Sequence, residues 1–274
     1  MRSNLVQIAL LALGATTAVA GRQAAKPTYF FVFGDSYSTT TFNVNSTQPS
    51  PSNPMGNPAR VGQGTTGGGV NWVGFLTTTY NSSLLLTYDL AVAGATINNS
   101  VATFGYLDMV SQVKTFQSTY SAKPASARWS SGRLSVCFLD CVDHAFQTHD
   151  PTSFVPILMD HYATLVEKLY TDGARKFLFI NKHAAFVADF NNGVRNLTTQ
   201  VRQNHTDTTV VLYDSWTFMT KVLDNPTAYG YPNATCNDSD GTSCVWWNNI
   251  HPGTKYHQLQ AEDMKSYLSS FGAW

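Results

Sequence analysis

Ser36 has the type and surroundings that nucleophilic catalysis requires. It follows the apolar run 30–33 and a Gly34-Asp35 turn. In open parallel α/β sheets, functional sites gather at the carboxyl ends of the strands. A serine hydroxyl at such a point becomes a nucleophile when a base accepts its proton. The structural alternative is a helix-cap or turn serine, since serine is favoured in both places.

His251 is the candidate base. It precedes the last predicted helix of the 274-residue chain, in the run Asn248-Asn249-Ile250-His251-Pro252. Histidine is the usual general base near neutral pH. The chain contains seven histidines, so a single His-Pro pair carries little weight, and a surface-loop histidine is the alternative.

The elements that must position this pair are apolar runs alternating with amphipathic stretches. Near-continuous apolar runs suit strands of a parallel sheet that is covered on both faces, and three-and-four spacing of apolar residues suits helices. The alternation predicts an α/β fold with a mainly parallel sheet. Strands are predicted at 28–33, 84–92, 134–142, 176–180 and 208–213, and helices at 71–80, 107–120, 153–170, 191–203, 216–223 and 255–271.

Residues 43–69 interrupt this alternation with a segment rich in Asn, Pro, Gly, Ser and Thr. It is either a linker or an ordered loop beside the site. Long loops inside compact domains are usually functional or disordered, and we favour the ordered loop. Residues 21–274 are therefore expected to form a single domain.

Residues 1–20 are predicted to be a cleaved secretory signal peptide. Arg2 supplies the positive start, residues 5–12 the apolar run, and Ala18-Val19-Ala20 a small-residue cleavage site. The run is too short to span a bilayer, and no later stretch qualifies as a span. A secreted, extracellular chain can carry N-linked glycans, and seven sequons are present, at Asn45, Asn81, Asn98, Asn196, Asn204, Asn233 and Asn237.

The charge balance argues against two classes of partner. Lysine plus arginine and aspartate plus glutamate both number 17, so the formal net charge is zero. A neutral chain has no electrostatic feature that favours nucleic acid or an anionic membrane as a partner.

The four cysteines divide into two pairs. Cys236 and Cys244 flank a polar loop and are natural disulfide partners in an oxidising compartment. Cys137 and Cys141 lie in a predicted strand, where their Cα atoms would be about 13 Å apart, too far for a disulfide. We predict that both are buried thiols. No Cys or His pair has a zinc-like spacing, so no metal site is expected.

Three sequence blocks together resemble the SGNH, or GDSL-like, hydrolases. Gly34-Asp35-Ser36-Tyr37 is similar to their first block, the stretch 90–96 around Gly94 to their second, and Asn248-X-X-His251-Pro252 to their last. More narrowly, Gly56-Asn57-Pro58, the stretch 68–73 and the stretch 247–252 resemble fungal acetylesterases of carbohydrate esterase family sixteen. The resemblance covers the chain from the first strand onward.

This resemblance implies a fold and a mechanism. The fold is a flavodoxin-like three-layer α/β/α sandwich around a five-stranded, mainly parallel sheet. Ser36 would attack the ester carbonyl, His251 would act as base with Asn248 beside it, and the N–H groups of Ser36 and Gly94 would form the oxyanion hole. No cofactor is implied. The implied substrates are small-molecule or oligosaccharide esters with short acyl groups, chiefly acetyl.

Two positions depart from the pattern of the family. Its third block, Gly-X-Asn-Asp, aligns with Asp140-Cys141-Val142-Asp143, and valine cannot replace the asparagine that donates to the oxyanion. Asn98 and His144 are the alternative donors. Asn248 stands where the family usually has aspartate, and an amide cannot balance the charge of an imidazolium.

These departures leave a second function open, in which the fold binds glycans without cleaving them. Trp72, Trp246 and Trp247 lie in the motif loops, where they could stack on sugars or simply pack beneath the site. Retention of both Ser36 and His251 favours the enzyme, because a binding protein does not need that pair.

Overall fold

The computed structural model describes residues 27–101, 107–121, 134–139, 151–181 and 188–274. The predicted signal peptide lies outside these ranges, as do residues 140–144 with the altered third block. No helix within them combines the length and the apolarity needed to cross a bilayer. Within the same ranges, no three His, Cys, Asp or Glu side chains are grouped so that they could hold a metal ion.

The described residues build a five-stranded sheet in which every strand pairs parallel to its neighbours. The strand order β2-β1-β3-β4-β5 is that of flavodoxin-like folds, in which ligands bind beyond the carboxyl ends of the strands. The predicted fold class is thereby confirmed. The strands are β1 (Thr28–Phe33), β2 (Leu85–Asp89), β3 (Leu134–Leu139), β4 (Lys176–Ile180) and β5 (Thr209–Tyr213).

Six α-helices lie in the described ranges and cover both faces of the sheet. One apolar cluster contains residues from α2, α3 and α4, and the other from α1, α5 and α6. Alternate residues of β1 face opposite clusters, with Phe31 in the first and Phe30 in the second, so the sheet is the middle layer of three. The helices are α1 (Trp72–Thr78), α2 (Met109–Phe116), α3 (Pro151–Thr171), α4 (Ala188–Asn204), α5 (Ser215–Asp224) and α6 (Thr254–Tyr267).

The second predicted strand was too long at its carboxyl end. β2 ends at Asp89, although the chain beyond it still follows β1: Leu90 N–H donates to Val32 O at 2.8 Å, and Val92 N–H to Gly34 O at 3.0 Å. The apolar pattern of residues 84–92 therefore predicted how far the chain runs alongside β1, but it did not predict that regular strand pairing ends at Asp89. This extension delivers Gly94 to the same edge of the sheet as Ser36.

Residues 43–69 form an ordered loop beside the site, as predicted. Thr66 Oγ1 donates to Ser36 O at 2.6 Å, and Asn57 Nδ2 donates to Thr47 O at 2.8 Å within the loop. A glycine run at 67–69 packs closely against the chain around His251. A Cβ atom on Gly68 would lie 2.7 Å from Trp247 Cδ1, and one on Gly69 would lie 2.9 Å from Thr254 Cβ.

The predicted disulfide is present, since Cys236 and Cys244 are bonded with their Cα atoms 5.4 Å apart. The carboxylate of Asp240 organises the loop between them. It accepts hydrogen bonds from Ser243 Oγ, from Ser243 N–H at 2.9 Å and from Thr242 N–H at 2.7 Å. These bonds lower the pKa of Asp240 to about 2, and the bond from the Ser243 hydroxyl has the largest effect. Cys141 and the side chain of Cys137 fall outside the described part of the chain.

Candidate active site

Ser36 lies in a tight turn directly beyond the carboxyl end of β1, and we call residues 34–39 the serine turn. Asp35 is buried and shapes the turn: its Oδ1 accepts from Tyr37 N–H at 2.9 Å, and its carbonyl accepts from Thr39 N–H at 3.0 Å. Ser36 itself is half-buried. The turn thus presents the serine side chain at the sheet edge where ligands of this fold class bind.

Two side chains distant in sequence hold the serine turn in place. Gln112, buried on α2, bonds Gly34 twice: Gly34 N–H donates to its Oε1 at 2.9 Å, and its Nε2 donates to Gly34 O at 2.8 Å. The Thr66 hydroxyl bonds the carbonyl of Ser36. A turn held from two sides keeps Ser36 in one geometry, as pre-organised catalysis would require of a nucleophile.

His251 is carried by a compact segment before α6, and we call residues 245–253 the histidine loop. Trp247 N–H donates to His251 O at 2.8 Å, and Gly253 N–H donates to Val245 O at 2.8 Å. The Tyr37 hydroxyl donates to the carbonyl of Ile250 in a short hydrogen bond, which ties the serine turn to the histidine loop.

The structure brings together the three residues that the sequence selected. His251 Nε2 lies 2.8 Å from Ser36 Oγ, and His251 Nδ1 lies 3.2 Å from Asn248 Oδ1. The candidate nucleophile, the candidate base and the residue beside that base are thus in series, as in sites where a histidine activates a serine hydroxyl.

Hydrogen bonds around Asn248 settle which of its amide atoms faces the histidine. Its Oδ1 accepts from Ile250 N–H at 3.0 Å and from His251 N–H at 2.8 Å. An atom that receives two backbone N–H groups must be the oxygen. The ring nitrogen that faces it therefore carries the proton, which leaves Nε2 as the acceptor toward Ser36. This tautomer is the one that a general base needs.

Two backbone N–H groups at this edge of the sheet, those of Ser36 and Gly94, are the candidate donors to an oxyanion. Val92 N–H bonds Gly34 O, so Ser36 and Gly94 each lie two residues beyond a paired position. Gly94 has φ +76°, a left-handed conformation that favours glycine. Within the described residues, neither the N–H of Ser36 nor that of Gly94 donates to another protein group.

An open groove of about 660 Å³ adjoins the histidine loop, lined by residues 237–239 and 247–250. Trp247 is half-buried and borders this groove, while its Nε1 donates to Ser239 O at 3.1 Å. Trp72 is fully buried in the core, and Trp246 donates through Nε1 to Ala234 O at 2.9 Å. Of the three tryptophans, Trp247 alone lines the groove, and Trp72 is a packing residue.

Comparison with known proteins agrees with this geometry. A family profile described as GDSL-like Lipase/Acylhydrolase matches residues 30–264. The chain belongs to this family. An acetylesterase from Thermothelomyces thermophilus is 35% identical over 283 residues, a match that covers 93% of each chain. The protein is a carboxylic ester hydrolase, and we refer to it below as the esterase.

Solved structures share the fold of the esterase at low sequence identity. A psychrotrophic esterase from Pseudoalteromonas sp. superposes with a TM-score of 0.50 and 11% identity, covering 89% of this chain and 98% of that one. An active-site mutant of a family two carbohydrate esterase from Clostridium thermocellum gives a TM-score of 0.50 and 12% identity, covering 89% of this chain and 64% of that one. These matches show that the esterase shares its α/β fold with both proteins.

Of the two alternative oxyanion donors in the esterase, Asn98 is already engaged elsewhere. Its Nδ2 lies 3.1 Å from His161 Nδ1 on α3, and its Oδ1 accepts from Ser100 N–H at 2.9 Å. His161 therefore engages one of the two N–H groups of the Asn98 amide in this conformation. His144 and Val142 lie outside the described residues.

Sequence reasoning missed the supporting residues of the esterase's site. No sequence pattern pointed to Thr66, because it belongs to a loop whose path depends on distant contacts. A pattern did point to Gln112, which lies on the buried face of α2 among Met109, Val113 and Phe116. A polar side chain on an apolar stripe must find a buried partner, and here that partner is the backbone of Gly34.

Proposed function

We propose that the esterase is a secreted serine hydrolase that removes short acyl groups, chiefly acetyl, from carbohydrate-derived esters through a Ser36–His251 acyl-enzyme mechanism. The observation that carries this proposal is the series Ser36 Oγ, His251 Nε2, His251 Nδ1 and Asn248 Oδ1, with separations of 2.8 Å and 3.2 Å. The proposed domain comprises residues 21–274, and the family match over residues 30–264 supports its extent.

Acylation begins when His251 Nε2 takes the proton of Ser36 Oγ as that oxygen attacks the ester carbonyl. The C–O π bond opens, and the N–H groups of Ser36 and Gly94 stabilise the resulting oxyanion, a contribution of about 3 kcal/mol per donor. As the tetrahedral intermediate collapses, His251 gives its proton to the leaving alcohol oxygen, and an acyl-Ser36 ester remains.

Deacylation repeats these steps with water as the nucleophile. His251 takes a proton from water, the hydroxide attacks the acyl-Ser36 carbonyl, and the same N–H groups stabilise the second oxyanion. Collapse expels Ser36 Oγ, which recovers its proton from His251, and releases the carboxylic acid. Asn248 keeps the imidazole in place throughout, through its contact with Nδ1.

The acetyl and carbohydrate assignments have separate support. The relative at 35% identity bears the name acetylesterase, which favours a short acyl group. The sequence blocks around Gly56, Gly68 and His251 resemble fungal carbohydrate esterases. The groove beside His251 is open and bordered by a carboxylate and amides, which suits a polar alcohol better than an apolar one.

Secretion and glycosylation are proposed from the leader and the sequons. Among the seven sequons, the amide nitrogens of Asn81 and Asn98 already contact Ser83 O and His161. The other five asparagines are exposed and are the proposed carriers of N-linked glycans, namely Asn45, Asn196, Asn204, Asn233 and Asn237.

The decisive experiment treats the purified protein with a serine-directed phosphonate and maps the adduct by mass spectrometry. We expect a single adduct on Ser36, and we expect Ser36→Ala to lower kcat on ethyl acetate by at least about 10⁴-fold, as removal of a catalytic serine does elsewhere. Ser38→Ala is the matched control, because Ser38 lies two residues away and its buried hydroxyl has no hydrogen-bond partner among the described residues. An adduct on another serine would refute the mechanism.

A further inference from the structure

The side chain of Gln112 replaces a backbone hydrogen bond that regular strand pairing would make. In a parallel ladder, a residue accepts from one N–H of the neighbouring strand and donates its own N–H to the carbonyl two residues earlier on that strand. Val32 O accepts from Leu90 N–H at 2.8 Å, and Gly34 O, two residues later, accepts at 3.0 Å from Val92 N–H. The ladder partner of Gly34 N–H would therefore be Leu90 O. Gly34 N–H instead donates to Gln112 Oε1 at 2.9 Å.

This replacement explains where β2 ends. β1 pairs regularly with β2 as far as Val32 and Asp89. At the next position, Gly34 O keeps its bond from Val92 N–H and accepts a second one from Gln112 Nε2 at 2.8 Å. The side-chain amide is thus bonded to both backbone groups of Gly34, and only one of the two ladder bonds remains. The chain after Asp89 therefore follows β1 without continuing the regular strand.

The bonds of Gln112 are made inside the protein, which makes them specific. Gln112 is 3% exposed, and a buried amide needs partners for both its oxygen and its nitrogen. Gly34 supplies one of each. The pairing requires a group that donates and accepts at once, which among side chains of this length only an amide or a protonated carboxyl group provides.

The helix that carries Gln112 is also bonded to the chain just beyond Gly94. Met109 N–H donates to Thr96 O at 2.9 Å. Asn99 N–H donates at 2.9 Å to the carboxylate of Asp108, the N-cap of α2. The helix therefore contacts both segments that carry a candidate oxyanion donor, one through its first turn and the other through a side chain one turn later.

We propose that Gln112 is a positioning residue for the oxyanion hole and sets the separation of the Ser36 and Gly94 N–H groups. The inference rests on the proposed function, in which both groups stabilise the oxyanion. Gln112 acts through the backbone of Gly34. Without its amide, Gly34 N–H either turns to Leu90 O or has no partner, and both changes move the two donors relative to each other. Because the donors must lie about 3 Å from one oxygen in the transition state, kcat suffers more than KM.

Gln112→Met tests this proposal in the purified protein with ethyl acetate as substrate. Methionine has a similar length but can bond neither backbone group of Gly34. We expect kcat to fall about 10²-fold, the typical effect of misplacing or losing an oxyanion donor. KM should change less than about threefold, because the carbonyl oxygen of the bound ester carries little of the charge that develops in the transition state.

Gln117→Met is the matched control. Gln117 follows α2 in the π-helical turn and donates through Nε2 to Asp172 Oδ2 at 2.8 Å, so this variant also removes a tertiary bond of a glutamine. Asp172 precedes β4 and lies at the edge of the sheet opposite Ser36. Stability in urea should fall in both variants, whereas only Gln112→Met should lose activity.

Gln112→Glu provides a readout that general loss of stability does not produce. An ionised carboxylate here would accept from Gly34 N–H but repel Gly34 O, whereas the protonated acid can bond both, as the amide does. Burial and the acidic neighbours Asp35 and Asp108 raise the pKa of such a group. The ratio of kcat in this variant to kcat in wild type should therefore rise at least about tenfold between about pH 8 and about pH 5. Titration with the serine-directed phosphonate expresses kcat per folded active site, and division by the wild-type value removes the titration of His251.

The outcomes separate this proposal from the proposed function. An unchanged kcat in Gln112→Met, a loss confined to KM, or an equal loss in Gln117→Met would overturn the positioning role. If Gln112→Met does not fold, Gln112→Glu decides, and a ratio that stays constant with pH would overturn the role as well. Failure of the wild-type protein to hydrolyse ethyl acetate, or activity remaining in Ser36→Ala, would instead overturn the proposed function.

Discussion

Asn248 shows how one amide can orient the proposed catalytic histidine. In serine proteases, replacement of the orienting aspartate by asparagine costs about 10⁴ in rate, because the amide stabilises the wrong tautomer. Here two backbone N–H groups of the histidine loop occupy Asn248 Oδ1 and fix the oxygen toward His251 Nδ1. The loop thus prevents the amide from presenting its NH₂ group to the imidazole. Compared with an aspartate at this position, Asn248 lacks only the negative charge.

This reasoning makes a prediction for two substitutions of Asn248. Asn248→Asp keeps the acceptor and adds a charge that favours the imidazolium, so kcat should rise by no more than about tenfold, and the acid limb of the rate profile should move to higher pH. Asn248→Ala removes the acceptor of Nδ1–H and of two loop N–H groups, and kcat should fall about 10²-fold. Both predictions are tested by measuring ethyl acetate hydrolysis across the pH range in which histidine titrates.

Asn225→Asp, which adds the same charge at an exposed position after α5, controls for general electrostatics. A gain near 10³-fold in Asn248→Asp would contradict the argument, since it would show that the amide does not hold the required tautomer.

At this scale the sequence could supply the chemical identities of the site but not its supports. Ser36 and His251 were predicted from their local contexts together with the resemblance of three sequence blocks to the SGNH hydrolases, and Asn248 was predicted from that resemblance alone. The oxygen of Asn248 could not be assigned beforehand, because it depends on backbone N–H groups whose directions appear only in the folded loop. The bond between Asn98 and His161 could not be foreseen either, because it requires the packing of α3.

The glycine run at 67–69 is the element that joins the long loop to the histidine loop. Gly68 adopts φ +70°, and a Cβ there would lie 2.7 Å from Trp247 Cδ1. The backbone of the loop can approach the indole this closely only because the side chain is absent. The glycine therefore positions Trp247, and through it the groove.

Gly68→Ala should lower both stability and activity, for two separable reasons. The left-handed backbone costs about 1–2 kcal/mol for any residue with a Cβ, and the clash displaces Trp247. Gly272→Ala is a matched control, because Gly272 has φ +68° and a Cβ there would meet nothing within 4 Å. Urea unfolding should show a similar stability loss in both variants. Only Gly68→Ala should lower kcat/KM on ethyl acetate, because Trp247 N–H donates to the carbonyl of His251.

Equal kinetic effects of the two glycine substitutions would mean that strain alone matters, and that Gly68 does not position Trp247.

The elements themselves were largely predictable from local patterns. β1 and β4 have the predicted bounds, since each is a short apolar run between clear breaks. α2 is shorter than predicted and continues into a π-helical turn at Gln117–Ser121, because apolar spacing does not report hydrogen-bond register. The ordered path of residues 43–69 follows from side-chain bonds such as that of Thr66 to Ser36, which no local pattern encodes.

At the scale of the whole molecule, the parallel sheet explains why distant residues converge. Strand and helix alternation predicts the layers, and a parallel sheet places all its strand ends at one edge. The serine turn follows β1 and the Gly94 turn follows the chain beyond β2, so both reach that edge. The histidine loop arrives from the carboxyl-terminal part of the chain because α6 packs in the same layer as α1.

This layered burial also encloses a carboxylic acid. Asp89 ends β2 opposite Val32 and is 1% exposed. Its Oδ1 accepts from Ala91 N–H at 3.1 Å, while its Oδ2 has no well-placed partner among the described residues. Burial raises the pKa of Asp89 to about 7, against the smaller opposing effects of the nearby Thr40 and of the Ala91 N–H. The folded protein therefore retains a proton there that the unfolded chain releases near pH 3.8.

The pKa of Asp89 predicts how the stability of the molecule changes with pH. Between about pH 4 and about pH 7 the folded state binds one proton more than the unfolded state, so this residue's contribution to stability falls as pH rises and stays low above pH 7. Asp89→Asn cannot ionise and should be more stable than wild type by about 2–4 kcal/mol at pH 8, since a tenfold change in proton affinity corresponds to about 1.4 kcal/mol. Near pH 4 the two proteins should unfold at similar urea concentrations, and the difference in their stability should increase steadily between pH 4 and pH 8.

Asp224→Asn is the control, because Asp224 is exposed; the difference in stability between this variant and wild type should not increase in this way. A difference between Asp89→Asn and wild type that stays constant with pH would mean that Asp89 has the same proton affinity in the folded and unfolded chains.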